Sequence, residues 1–138
     1  MAVTPEIEAA ISEIKDQFPE ATITVVEDGD GGAYVSLDRV PLGAQYSQRE
    51  TWMKFQITVT YPVSDVYPQF IDPAVRIVGS SHDDDTPMGE GSSVGNFRFA
   101  NEEILAIQIS RRSNHLDPAV DTAALKLAKV MHWLETRS

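Results

Sequence analysis

Ser110-Arg111-Arg112-Ser113-Asn114-His115 is the densest run of reactive side chains in the chain. Hydroxyls, guanidiniums, a carboxamide and an imidazole follow directly on the apolar stretch ILAIQI at 104–109 and directly precede Leu116-Asp117-Pro118. A serine hydroxyl is a weak nucleophile until a base takes its proton. His115 is the imidazole of the run, and an imidazole changes charge near neutral pH. With Asp117, or with the Asp83–Asp85 run, Ser110 and His115 would compose a hydrolase triad. Triads are defined by geometry, however, and the Gly-x-Ser-x-Gly turn that lifts such a serine into solvent is absent.

The elements around this run are legible from hydrophobic spacing. Leu105, Ile107 and Ile109 alternate with Ala106, Gln108 and Ser110, the period of a strand with one covered face. That strand delivers the polar run to the point where regular structure stops, the usual place for function on a rigid scaffold. On the far side, Asp117-Pro118 predicts the start of a last helix reaching to about residue 135, with Ala124, Leu127, Ala128, Met131 and Leu134 on its buried stripe.

At the other end of the chain, Thr4-Pro5-Glu6 predicts a capped helix start. Ile7, Ile11, Ile14 and Phe18 follow as one stripe, and Pro19 ends it. Strands are expected over 21–27, 33–40 and 51–61, where β-branched and aromatic residues concentrate. The turn DGDGG at 28–32 has the opening of a calcium loop, but Arg39 stands where that loop needs a bidentate glutamate. Pro62, Pro68 and Pro73 forbid a long central strand thereafter, leaving a short fourth strand over 74–78 and a turn-rich loop over 79–95. Phe97 and Phe99 then restart the alternation. Trp52 and Trp133 read as packing residues. The sum is an α+β domain: an N-terminal helix, a four-stranded antiparallel meander and a C-terminal helix.

Composition narrows the function. The chain has 138 residues, enough for a single domain over 1–138 with a core that needs no disulfide or metal. It contains no cysteine, which removes thiolate chemistry and thiolate zinc sites. A formal net charge of −10 argues against a nucleic-acid partner, which would require a basic face. His82-Asp83-Asp84-Asp85 offers oxygen ligands but reads as a solvated acidic loop, and neither metal nor cofactor is expected. The N-terminus lacks a signal-peptide pattern and no stretch is long and apolar enough for a membrane span, so no membrane partner is expected and a cytoplasmic location is.

Two segments carry a family resemblance. TVTYPVSDVYP at 58–68 is similar to the strand and YP…P segment of ubiquitin-conjugating enzymes. NHLDPAVDTAALKLAKVMHWL at 114–134 is similar to their W-S-P segment and the helix after it, with Leu116 in the place of the Trp. The element order over nearly the whole chain also resembles that fold. The nearest likeness is to the short bacterial conjugating-enzyme-like proteins that lack the C-terminal helices of the eukaryotic enzymes. The resemblance implies three partners: a ubiquitin-like protein, an activating-like enzyme and a target protein.

The chain departs from the family where the chemistry lies. Family members carry the modifier on a cysteine preceded by His-Pro-Asn; here that spacing, counted back from Pro118, reaches Gln108, and His82 is followed by Asp83. A thioester is impossible. The resemblance therefore implies either of two functions. In one, Ser110 carries the modifier as an oxyester, with His115 as base, Asn114 as oxyanion donor and Arg111 and Arg112 offsetting the intermediate's charge; Ser113 is the neighbouring alternative hydroxyl. In the other, the domain is inactive and binds a ubiquitin-like protein or scaffolds its partner enzymes. Arg111, Arg112, Ser113, Tyr61 and Pro62 are then contact surface.

Overall fold

The computed structural model describes residues 2–111 and 116–138. Helix α1 (Pro5–Gln17) opens as its sequence dictates. The Thr4 hydroxyl accepts from the Ile7 N–H at 3.2 Å, and Glu6 and Glu8 sit in the first turn, at the positive end of the helix dipole. Ile7, Ile11, Ile14 and Phe18 are all buried against the sheet core.

Six strands follow: β1 (Ile23–Glu27), β2 (Ala33–Pro41), β3 (Glu50–Ile57), β4 (Gln69–Ile71), β5 (Ser92–Phe99) and β6 (Glu102–Ile109). All neighbours are antiparallel, in the order β1-β2-β3-β4-β6-β5. The first four form the meander. The sheet extends past the meander by one hairpin, β5–β6, formed by the strand expected over 104–109 and by the alternation around Phe97 and Phe99, with β5 starting at Ser92 inside the expected loop. Its tip residues Ala100 and Asn101 have φ of 49° and 68°. Positive φ at both central positions is the two-residue turn that matches strand twist. Ala-Asn performs it here without the usual Asn-Gly signature.

Three strand expectations need correction. The fourth strand is 69–71, not 74–78: Pro68 and Pro73 bracket a short strand between them, while 74–78 folds as a turn that buries Val75 and Ile77. Strand β3 stops at Ile57 rather than Tyr61. The hydroxyls of Thr58, Thr60 and Ser64 bond to one another at 2.8–3.1 Å and curl the chain into a turn, which drops Tyr61 into the core. On β6, Leu105 shares a face with Ile107 and Ile109 yet is 54% exposed, because the cover on that face stops short of it. Ala106, on the opposite face, is buried in a second cluster with Phe70 and Phe99, walled by Tyr34, Trp52 and Phe97.

Helix α2 spans Ala123–Glu135 and starts later than Pro118. Its cap is Thr122, whose hydroxyl accepts from the Leu125 N–H at 3.1 Å. Asp117 is spent on a turn of its own: its carboxylate accepts from Ala119 N at 3.0 Å while its N–H donates to Asp121 Oδ2 at 2.7 Å. The buried face is Ala123, Lys126, Leu127, Val130, Trp133 and Leu134. Leu127 and Leu134 were expected there; Ala128 is exposed and Met131 half-buried, and Lys126 and Trp133 take the inner positions.

The β2–β3 connection holds the far end of α2. Gln45 Nε2 donates to the carbonyls of Glu135 and Arg137 at 3.0 and 3.2 Å, and the Tyr46 hydroxyl donates to Leu134 O at 2.6 Å. Orphan carbonyls at a helix end are thereby satisfied. Burial pushes the Tyr46 hydroxyl up from 10.0 to about 12, with the Arg137 charge pulling weakly the other way. The raised value favours the neutral phenol in the folded state, so its contribution is complete below pH ~10 and is lost as pH rises toward ~12. Tyr46→Phe should cost about 1–2 kcal/mol at neutral pH and flatten that alkaline fall, both read from urea unfolding at stepped pH.

Candidate functional site

Strand β6 ends at Ile109, and Ser110 continues its line: the Ser110 N–H donates to Gly91 O at 2.8 Å, beside the first residue of β5. The Ser110 side chain is half-buried, and its Oγ accepts from Gln108 Nε2 at 3.0 Å. It does not enter the core. With Glu90, Gly91, Arg111, Trp133 and Arg137 it lines an open cup of about 490 Å³.

The floor of the cup is the buried Trp133 indole. The guanidiniums of Arg111 and Arg137 both lie over its ring, 5.6 and 4.8 Å from the centroid, a distance at which a cation is attracted to the π face. Arg137 is further pinned by donating Nε–H to Trp133 O at 3.1 Å and Nη2–H to Thr136 Oγ1 at 2.9 Å. Gly91 makes the close approach possible. It sits at φ +96°, and a Cβ there would come within 3.1 Å of Trp133 Cζ2.

Beneath the cup lies a buried cation. Lys126, with a side chain 7% exposed, donates from Nζ to Asp65 Oδ2 at 3.0 Å and to the Arg111 carbonyl. Beside it, Tyr61 Oη accepts from the Ala123 N–H at 2.9 Å. The 58–68 segment, the end of β6 and the first turn of α2 are thus joined within one small region. Leu116 lines the same crevice with Tyr61, Asp65 and Lys126. Asp121 closes the turn before α2, and the Asp117 N–H, then the Lys129 ammonium, hold its carboxyl below the usual carboxylate range.

The structure brings Ser110 and Arg111 together in the cup; Arg112, Ser113, Asn114 and His115 lie outside the described residues. Tyr61 is buried with its hydroxyl used internally, and Pro62 is half-buried, so the outward face of that segment belongs to Val63, 70% exposed. Trp133, Arg137 and Glu90 were not identified as site residues by sequence reasoning. Trp133 lies in the last turn of α2 and Arg137 just beyond its cap, so Arg137 reaches the ring by folding back rather than by helical spacing. Glu90 and Gly91 carried no signal, since only the pairing of β5 with β6 brings them to Ser110.

The other polar candidates are engaged elsewhere. His82 bonds through Nε2 to Ser138 O at 2.9 Å, and Asp84 faces Arg76 at 3.8 Å. Among the described residues no three His, Asp or Glu side chains converge as metal ligands, and no helix is long and apolar enough to cross a membrane. A second hollow, of about 410 Å³, lies between the end of α1 and α2, lined by Phe18, Leu42 and Met131, and contains none of the expected site residues. Comparison with protein-family models, curated proteins and solved structures finds no match.

Lys126→Met strips the Asp65 carboxylate of a buried partner and should destabilise the fold by about 3 kcal/mol. Lys126→Met combined with Asp65→Leu should recover most of that loss, since no buried charge is then left alone. Chemical denaturation of the two variants checks the pair; equal losses in both would show that the charges are not coupled.

Proposed function

We propose that the chain is a conjugating-enzyme-like domain of a ubiquitin-like modification pathway, with Ser110 as the acyl acceptor. One observation carries the reading. The two segments similar to that family, 58–68 and 114–134, meet at Lys126, whose other described partner is the carbonyl of Arg111, the residue after Ser110. The segment that bears the nucleophile in the family is thus tied to both recognisable motifs.

The chemistry asked of Ser110 is acyl transfer. Its Oγ attacks the thioester carbonyl of a ubiquitin-like C-terminus held on an activating-like enzyme; the C–O bond forms as the C–S bond breaks. The hydroxyl proton passes to a base, for which His115 is the candidate, and the leaving thiolate is protonated. An amine of the target protein then attacks the oxyester, forming the amide and returning the proton to Ser110. The Gln108 amide steadies the hydroxyl, and the guanidiniums of Arg111 and Arg137 offset charge on the tetrahedral oxyanion.

A second reading, a domain that binds a ubiquitin-like protein or scaffolds its enzymes without transfer, is favoured by a different observation. Among the described residues, neither an imidazole nor a carboxylate accepts from the Ser110 hydroxyl. Mass spectrometry after incubation with a cognate activating enzyme, modifier and ATP separates the two. Transfer predicts a hydroxylamine-sensitive adduct that Ser110→Ala abolishes and Ser110→Cys converts to a reducible thioester. An adduct retained in Ser110→Ala moves the site off this residue. No adduct on either the native chain or Ser110→Cys, with modifier binding intact, leaves the binding reading standing and removes catalysis.

A further inference from the structure

The cup around Trp133 has a property that acyl transfer does not require. Two arginines elsewhere on the surface face carboxylates: Arg39 faces Glu50 at 3.9 Å and Arg76 faces Asp84 at 3.8 Å. Arg111 and Arg137 do not. Among the described residues neither forms a salt bridge, and the Arg111 guanidinium makes no hydrogen bond. Both lie over one indole instead; the guanidinium N–H groups of Arg111 have no acceptor among the described residues, and Arg137 keeps its Nη1 free there beyond its bonds to Trp133 O and Thr136.

We propose that this cup is a receptor for a carboxylate presented by a peptide. The donors match the ligand. A guanidinium edge pairs with a carboxylate through two parallel hydrogen bonds. The Ser110 oxygen already accepts from Gln108, so its own O–H is available to donate a further bond. The floor is built rather than incidental: Trp133 is buried, Arg137 is tied back to Trp133 O and Thr136, and Gly91 permits backbone contact with the indole.

The carboxylates around the cup oppose a doubly charged ligand. Glu90 lines the same cup and forms no salt bridge with either arginine, and the chain as a whole is strongly acidic. A dianion gains about twice the attraction of a monoanion from the guanidiniums but also meets about twice the repulsion from Glu90 and the acidic surroundings, whereas a carboxylate pairs with a guanidinium edge at a single charge. The carboxylate can belong to a peptide's C-terminus or to an Asp or Glu side chain. The inference stands whether or not Ser110 accepts an acyl group.

The test is titration of the native chain, followed by NMR of the Trp133 indole N–H and the Arg137 Nε–H, with three probes. N-acetyl-Gly-Gly carries a free terminal carboxylate; N-acetyl-Gly-Glu-Gly-amide carries only a side-chain one; inorganic phosphate is the third. The proposal expects saturable shifts with at least one peptide, the tighter of the two identifying the source. Arg111→Gln should weaken that binding about tenfold, a loss of about 1.4 kcal/mol, and Arg137→Gln similarly. Glu90→Gln should tighten it. Phosphate binding more tightly than both peptides, shifts that never saturate, or affinity unchanged in Arg111→Gln would each overturn it. If Arg137→Gln disturbs the end of α2, Arg111→Gln alone decides, since that guanidinium makes no hydrogen bond among the described residues. An adduct-forming protein that binds no carboxylate sinks this inference alone; a carboxylate binder that forms no adduct sinks only the transfer reading.

Discussion

A single ammonium group, Lys126 Nζ, lies where three parts of the chain meet, and the surroundings of Ser110 depend on how it is satisfied. Its partners come from the 58–68 segment (Asp65), the strand end that carries Ser110 (the Arg111 carbonyl) and α2, which bears the lysine itself. A buried ion pair contributes little net stability, because desolvating both charges consumes most of their attraction. It is nonetheless intolerant of displacement, since any arrangement that parts the charges leaves one of them bare in a low-dielectric interior. The interaction therefore acts as a register mark: it selects the one docking of α2 that keeps the ammonium beside the Asp65 carboxylate and the Arg111 carbonyl. Trp133, two turns along the same helix, arrives under Arg111 as a consequence.

The other end of α2 is held by different physics. Gln45 and Tyr46 cap its last carbonyls from the β2–β3 connection, and Arg137 folds back on Trp133 O. The helix is thus fixed by a buried ion pair at its first turns and at its last by hydrogen bonds to backbone carbonyls, from two neutral side chains and one guanidinium. The sheet supplies the platform between them, packed on the helices through Val35, Phe55, Ile71, Ile107 and Ile109. Its opposite face is sealed by an aromatic cluster in which Lys54 lies 5.4 Å from the Trp52 ring and 5.5 Å from that of Phe99. A lysine stem covering aromatic surface while its charge stays wet is an ordinary way to close such a face.

The parts of this fold that were legible in the sequence are those governed by local periodicity and capping chemistry. Helix α1, with Thr4, Pro5 and the Ile7–Ile11–Ile14 stripe, is one case, and strands β1 to β3 are another, apart from the early end of β3. What escaped was decided by competition between equivalent local signals. Asp117-Pro118 and Thr122 are both good helix starts, and only the turn that Asp117 closes with Asp121 settles between them. Three residues between two prolines carry no strand period at all, yet Gln69–Ile71 finds partners on both sides. Ser110 and Arg111 were visible as chemistry-bearing residues. The cup they line was not, because Glu90, Gly91, Trp133 and Arg137 reach it only through strand pairing and helix docking.

Trp133 shows why composition alone could not reveal that cup. An indole on a helix reads as core packing, and Trp133 is indeed buried. Its ring nevertheless holds two cations, neither of which forms a salt bridge among the described residues. Each such contact is worth about 0.5–1 kcal/mol at an exposed site, comparable to a surface salt bridge, and two like charges brought to one ring also repel. Pairing each arginine with a separate carboxylate would serve stability at least as well. The arrangement makes physical sense if the repulsion is relieved by an anion between the guanidiniums. Ser110, held at the end of β6 by Gly91 and Gln108, is then placed beside that anion.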